Sequence, residues 1–175
     1  MTMKRLFSLG LALVLALGLL AGCASDNGGA SDKTPEELTQ LYADAINNCG
    51  AEAVQYNPVI SQYDPEENPT IDMLLPMLGV TADDMSAFAL SMSVMNVQAY
   101  GIAVIMPAEG CEQTVLDGVN AFVENQKSSF QTYLADQYAI AEAAKVETLA
   151  DGTVVLVMCE NSDQVYDAIV AALEG

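Results

Sequence analysis

Carboxylates and thiols carry most of the chemistry this chain could do, because its 175 residues include no histidine. That composition removes Ser-His-Asp and Cys-His catalysis, imidazole general bases and His-ligated zinc or copper sites. The acidic residues gather at Glu36/Glu37, at Asp64 with Glu66 and Glu67, and at Asp83/Asp84. Paired carboxylates can serve as general acid and base in hydrolysis, but each group falls at a helix start or in a polar loop, where a solvated cap is the ordinary role. The stretch Asp64–Asp72 holds hard oxygen donors suited to calcium. It lacks an Asp-x-Asp-x-Asp-Gly loop, and Pro65 and Pro69 work against ligand convergence. Met73, Met77, Met92 and Met95 are soft donors in principle, yet they sit in apolar stretches and read as core filling. Cys49, Cys111 and Cys159 are 62 and 48 residues apart, which matches no zinc or redox spacing. They read as small buried apolar residues first, and as one disulfide with a thiol left over second. No glycine-rich phosphate loop is present. The expectation is a chain with no catalytic residue, no metal and no cofactor, and therefore not an enzyme.

A fourth thiol has a different setting. Lys4-Arg5 precedes an apolar run from Leu6 to Leu20, and Leu19-Leu20-Ala21-Gly22-Cys23 closes it with small residues. This is the layout of a secretory signal peptide, and its end resembles the bacterial lipobox, in which the cysteine is lipidated and becomes the mature N-terminus. An uncleaved membrane helix is the competing reading, since about 20 apolar residues span a bilayer. Gly10, Gly18 and Gly22 and the small-residue ending argue against it. The expected organisation is a signal peptide over 1–22, a diacylglyceryl Cys23 with a flexible polar tether over 23–33, and one domain over 34–175. Two acyl chains anchor stably where one is marginal. The bilayer, reached through Cys23, is thus one expected partner, and the expected location is the extracytoplasmic side of the cell membrane.

After Cys23 there are three lysines, Lys33, Lys127 and Lys145, against 24 acidic residues, a formal charge of −21. Such a surface repels nucleic acid and anionic headgroups. Tryptophan is absent, which weakens carbohydrate stacking, and tyrosines are the remaining recognition side chains. Tyr56 and Tyr63 lie in a Pro-rich acidic loop, and Tyr133 lies where a long helix should end; the three are the candidate interaction surface. The ordinary role for Tyr133 is an amphipathic anchor with its ring buried and its hydroxyl at the rim.

The elements that must hold these residues are legible in the pattern. Thr34-Pro35-Glu36-Glu37 is a capping box with proline at the first helical position, and Leu38, Leu41, Tyr42, Ala45, Ile46 and Cys49 share one helical face. Residues 51–69 read as irregular loop with a short extended piece, and Ile71 to Leu78 as a helical turn interrupted at Pro76. Phe88, Leu90, Met92 and Val94 alternate with Ala89, Ser91 and Ser93, a half-buried strand. Tyr100 to Met106 is a central strand joined to it by a short turn at Asn96. Glu109 to Tyr133 is the longest helix and Ala135 to Ala144 a second piece. Asp151-Gly152 marks a hairpin between strands at 146–149 and 153–159. A last helix, capped by Ser162 or Asp163, carries Val165, Tyr166, Ile169, Val170 and Leu173. The expected fold is α+β: a small antiparallel sheet of about four strands in two hairpins, with helices packed mainly on one face.

Three of these stretches carry a resemblance. Ala99-Tyr100-Gly101-Ile102-Ala103-Val104-Ile105, Gln126-Lys127-Ser128-Ser129-Phe130-Gln131-Thr132-Tyr133, and Gly152-Thr153-Val154-Val155-Leu156-Val157 with its following helix resemble a family of small lipoproteins, widespread in gut Firmicutes, catalogued as domain of unknown function 4358. The resemblance covers about residues 71–175. It implies the α+β fold and the membrane location, and it supplies no activity. The family's strand carries a glutamate where this chain has Gly101, and its long helix an arginine where Phe122 stands. If those two form an ion pair or ligand site in the family, this chain has lost both halves. The sequence thus points to a membrane-anchored extracytoplasmic lipoprotein that binds an unknown protein or small molecule. A carboxylate-dependent cell-wall or peptide hydrolase and a calcium-binding scaffold are the alternatives.

Overall fold

Thr34 opens the first helix through the reciprocal contacts its sequence calls for. Glu37 N–H donates to Thr34 Oγ1 at 3.3 Å and Thr34 N–H donates to Glu37 Oε2 at 2.7 Å, so two otherwise orphaned donors are satisfied. The computed structural model describes residues 33–175; the signal peptide, Cys23 and all but the last residue of the tether lie outside the described residues. The helices are α1 (Pro35–Asn47), α2 (Ile71–Met77), α3 (Glu112–Phe130), α4 (Ala135–Glu142) and α5 (Ser162–Glu174). The strands are β1 (Met85–Met92), β2 (Gly101–Pro107), β3 (Lys145–Thr148) and β4 (Val154–Met158).

The four strands form one antiparallel sheet in the order β1-β2-β4-β3. Two hairpins, β1–β2 and β3–β4, meet through β2 and β4, with Gly101 opposite Met158 and Ile105 opposite Val154. This is the expected α+β sheet, but its helices cover both faces rather than mainly one. Phe88, Leu90, Ala103, Ile105, Val154 and Leu156 pack under α2, α3 and α4. Ala87, Ala89, Ile102, Val104, Val155 and Val157 pack under α1 and α5. Double coverage explains why β4 is buried at all five residues and β2 at six of seven, as strands covered on both sides must be.

The same coverage corrects the half-buried reading of β1. Ala87, Ala89 and Ser91 are buried, since small side chains let α1 approach the strand closely instead of marking a wet face. Ser91 is accommodated by hydrogen bonding: its hydroxyl donates to the Asn57 carbonyl and pairs with Tyr100 Oη at 2.7 Å. Other departures have local causes. Pro76 lies inside α2 without breaking it, because it forfeits a bond to Asp72, a solvent-exposed residue. The 51–69 loop contains a 3-10 turn at Glu52–Gln55 and one bridge, Ile60 to Leu90. The β1–β2 connection runs over residues 93–100, longer than a short Asn96 turn. Neither Ser162 nor Asp163 caps α5. Asn161, at φ 56°, holds the cap position, while the Ser162 hydroxyl donates to the Ala143 carbonyl at 2.9 Å and Asp163 pairs with Lys145 at 2.7 Å.

α3 crosses the end of α2 at Gly118, where an added Cβ would stand 2.0 Å from the Leu78 carbonyl oxygen. Helix propensity alone favours alanine there by roughly 0.5–1 kcal/mol, whereas overpacking against backbone costs about 1–3 kcal/mol. Gly118→Ala should therefore destabilise the domain by about 1–2 kcal/mol net in urea unfolding; a stabilised variant would show that α3 does not sit this close to α2.

Candidate functional site

The β2–β4 pairing brings three chain segments of distant sequence to one end of the sheet. The end of α1 supplies Cys49 and the following Glu52 and Tyr56. The start of β2 supplies Gln98, Ala99 and Tyr100, and the end of β4 supplies Cys159, Glu160 and Asn161. With Gln137 of α4 and Gln164 and Val165 of α5 they enclose an open cavity of about 480 Å³, within the range of ligand sites. Gln137 fixes one wall, its Oε1 accepting from Ala99 N–H at 2.8 Å.

The floor is apolar and protonated. Cys49, Tyr100 and Cys159 are buried, and Cys49 and Cys159 are free thiols. Burial is the main cause that raises all three. Cys159 is pushed up to about 12, with Cys49 and Glu160 adding to the effect, and Cys49 is raised despite backbone hydrogen bonds. Tyr100 lies far above the ordinary tyrosine value, although Ser91 opposes the shift. Neither floor thiol is a thiolate nucleophile at neutral pH. Cys111 is also free, at the start of α3, its thiol raised by desolvation and by a hydrogen bond to Asp84. The three cysteines are thus free thiols, two of them buried, in line with the first of the two expected readings.

The acidic groups are occupied locally. Asp84 accepts from Thr81 N–H and Oγ1, both at 2.7 Å, and the Thr81 backbone bond foremost holds its carboxyl below the usual range. Asp64 Oδ1 accepts from Glu66 and Glu67 N–H at 3.0 Å, and Asp72 accepts from Tyr63 Oη at 3.1 Å. Among the described residues no three carboxylates or thiols converge as metal ligands, and no helix is long and apolar enough to cross a membrane.

Tyr133 and Tyr56 each border the β1–β2 loop, at different points. Tyr133 Oη donates to the Asn96 carbonyl in the β1–β2 loop at 3.2 Å. Tyr56 lines the cavity and also a second groove of about 360 Å³ walled by Val94 and Met95 of that loop. Tyr63 lines neither. Tyr133 is 57% exposed and its ring is not buried, unlike the anchor role expected of it. The loop's Val94, Met95 and Val97 are 45–59% exposed, and they form the apolar part of the surface that sequence reasoning missed. A Met-Asn-Val tip between two strands was the available signal. For Gln98, Glu160 and Asn161 there was none, because their convergence depends on strand order.

A family model described as Domain of unknown function (DUF4358) matches residues 59–159. The chain belongs to that family. The DUF4358 match spans β1 to β4 with α2, α3 and α4, and leaves α1 and α5 outside it. No curated protein and no solved structure matches the chain. Gly101 and Phe122, where the resemblance implies a glutamate and an arginine, are neighbours in space. A Cβ on Gly101 would lie 3.0 Å from Phe122 Cε1, so a phenyl ring occupies the room that a side chain on β2 would need.

Because the folded thiol and phenol values exceed their ordinary ones, the native state holds more protons than the unfolded chain above about pH 9. Stability is full below the ordinary thiol value of 9.0 and falls as pH rises toward the Cys159 value of about 12. Urea midpoints measured from pH 8 to 11 should decline, with a shallower decline in Cys159→Ala; flat midpoints would contradict the burial of these groups.

Proposed function

We propose that this DUF4358 chain is a membrane-anchored extracytoplasmic lipoprotein whose domain is a binding module, engaging a partner protein through the β1–β2 loop. The observation that carries the reading is the contiguous exposed surface of Val94, Met95 and Val97 with Tyr133 bonded to the same loop. Apolar side chains gathered in one place are a mark of interaction sites. Each is already about half covered, so burying the rest contributes roughly 1 kcal/mol apiece, against an association cost of at least about 4 kcal/mol. The loop alone therefore supports a weak contact, and a stable one draws in the adjoining groove beside Tyr56. The net charge after Cys23 favours a neutral or basic partner.

The hydrolase alternative has less support. Glu52 and Glu160 do line one cavity, but both are exposed, whereas a general acid is usually held protonated by burial. The calcium alternative rests on Asp64–Asp72, whose Asp64 oxygen already serves the loop backbone.

Two measurements test the proposal. A photo-crosslinker at Met95 of the full chain in native membranes should give a discrete adduct that Tyr133→Ala and Val97→Ser weaken; equal labelling from a crosslinker at the exposed Ala171 would overturn the assignment of this face. Separately, Cys23→Ala should abolish labelled-palmitate incorporation and leave the precursor unprocessed. Normal processing of that variant would sink the lipid anchor.

A further inference from the structure

We propose that the cavity at the open end of the sheet binds a small organic ammonium ion. This site adjoins the hairpin patch, sharing Tyr56 and Gln98 with the groove beside it, but its carboxylates and its floor lie outside that patch. Its lining has one sign of charge: Glu52 and Glu160 stand on it and no lysine or arginine does. The two lysines of the folded elements are engaged elsewhere, Lys127 with Glu124 at 2.8 Å and Lys145 with Asp163 at 2.7 Å. A cavity with two carboxylates in a chain this acidic concentrates cations and repels anions.

Charge alone would suit any cation, and the rest of the lining narrows the class. Tyr56, 83% exposed at the mouth, offers an aromatic face to an ammonium group, the interaction by which quaternary amines are recognised. Ala99, Tyr100 and Val165 give a buried apolar floor for alkyl groups, which a hydrated metal ion does not use. Gln98 and Gln164 also line the cavity, and an amide oxygen accepts from N–H groups. The N-terminus of α5 opposes this choice, since its partial positive charge favours anions. Glu160 directly precedes its cap residue, so a carboxylate of the chain itself stands against that partial charge, while Asp163 in the first turn is paired with Lys145.

The test is NMR titration of the soluble domain, residues 33–175 being the folded unit described above, at fixed ionic strength. The probes are tetramethylammonium and n-butylammonium, with n-butyrate and n-butanol as matched anionic and neutral compounds. Saturable shifts are expected for the two ammonium probes at residues 50–56, 98–100 and 160–165. Glu52→Gln and Glu160→Gln should each weaken binding about 2- to 5-fold, as loss of one exposed charge pair does. Both positions are exposed, and an unchanged thermal midpoint confirms that the variants fold. Equal or tighter binding of butyrate or butanol, shifts spread over the whole acidic surface, or full affinity in both variants would each overturn the proposal. None of these outcomes bears on crosslinking at Met95.

Discussion

Antiparallel pairing of β2 with β4 is the interaction on which the rest of the domain depends. Each hairpin alone is a two-stranded ribbon, marginal in water. Joined through Gly101–Met158 and Ile105–Val154, they make a sheet wide enough for helices on both faces. Each face then has its own apolar layer, one closed by α2, α3 and α4 and the other by α1 and α5. The inner strands consequently have no side free for polar residues. The ionisable groups are left to the ends of the sheet and to its edges, which is where the cavity and the β3 network of Lys145, Glu147, Asp163 and Tyr166 lie.

Close approach is the second organising constraint. Ala87 and Ala89 bring α1 down on β1, Gly118 lets α3 cross the Leu78 carbonyl, and Gly101 admits the Phe122 ring. In each case a small residue on one element is matched by bulk or backbone on another. Where the resemblance implies a glutamate and an arginine, this chain has a glycine with a buried phenyl ring packed against it, so this part of the interior is apolar here.

Much of this was readable along the chain. Thr34, Pro35 and Glu37 announce α1 through local chemistry, and the alternation of Phe88, Leu90 and Met92 announces β1. The Asp151-Gly152 pair marks the β3–β4 turn, where Asp151 bonds Thr153. Expectations failed where small residues were read as solvent-facing. Ala89 and Ser91 look like an exposed face only if no helix covers them, and periodicity does not report a second layer. The cap of α5 was missed for a related reason, since the Ser162 hydroxyl is claimed by Ala143, a residue distant in sequence. The cavity had no local signature, because Cys49, Tyr100 and Cys159 become neighbours only once the order of strands is known.

The direction of α1 has a consequence for how the domain is presented. Thirteen helical residues from Pro35 to Asn47 span about 20 Å at 1.5 Å per residue. The chain enters the domain at the Thr34 end, while Cys49 and Glu52 border the cavity at the opposite end, alongside the loop that carries Gln98. The cavity and the loop beside it therefore lie about a helix length from the point where the chain enters the domain. Whatever the N-terminal segment is joined to, the full length of α1 separates it from the cavity mouth.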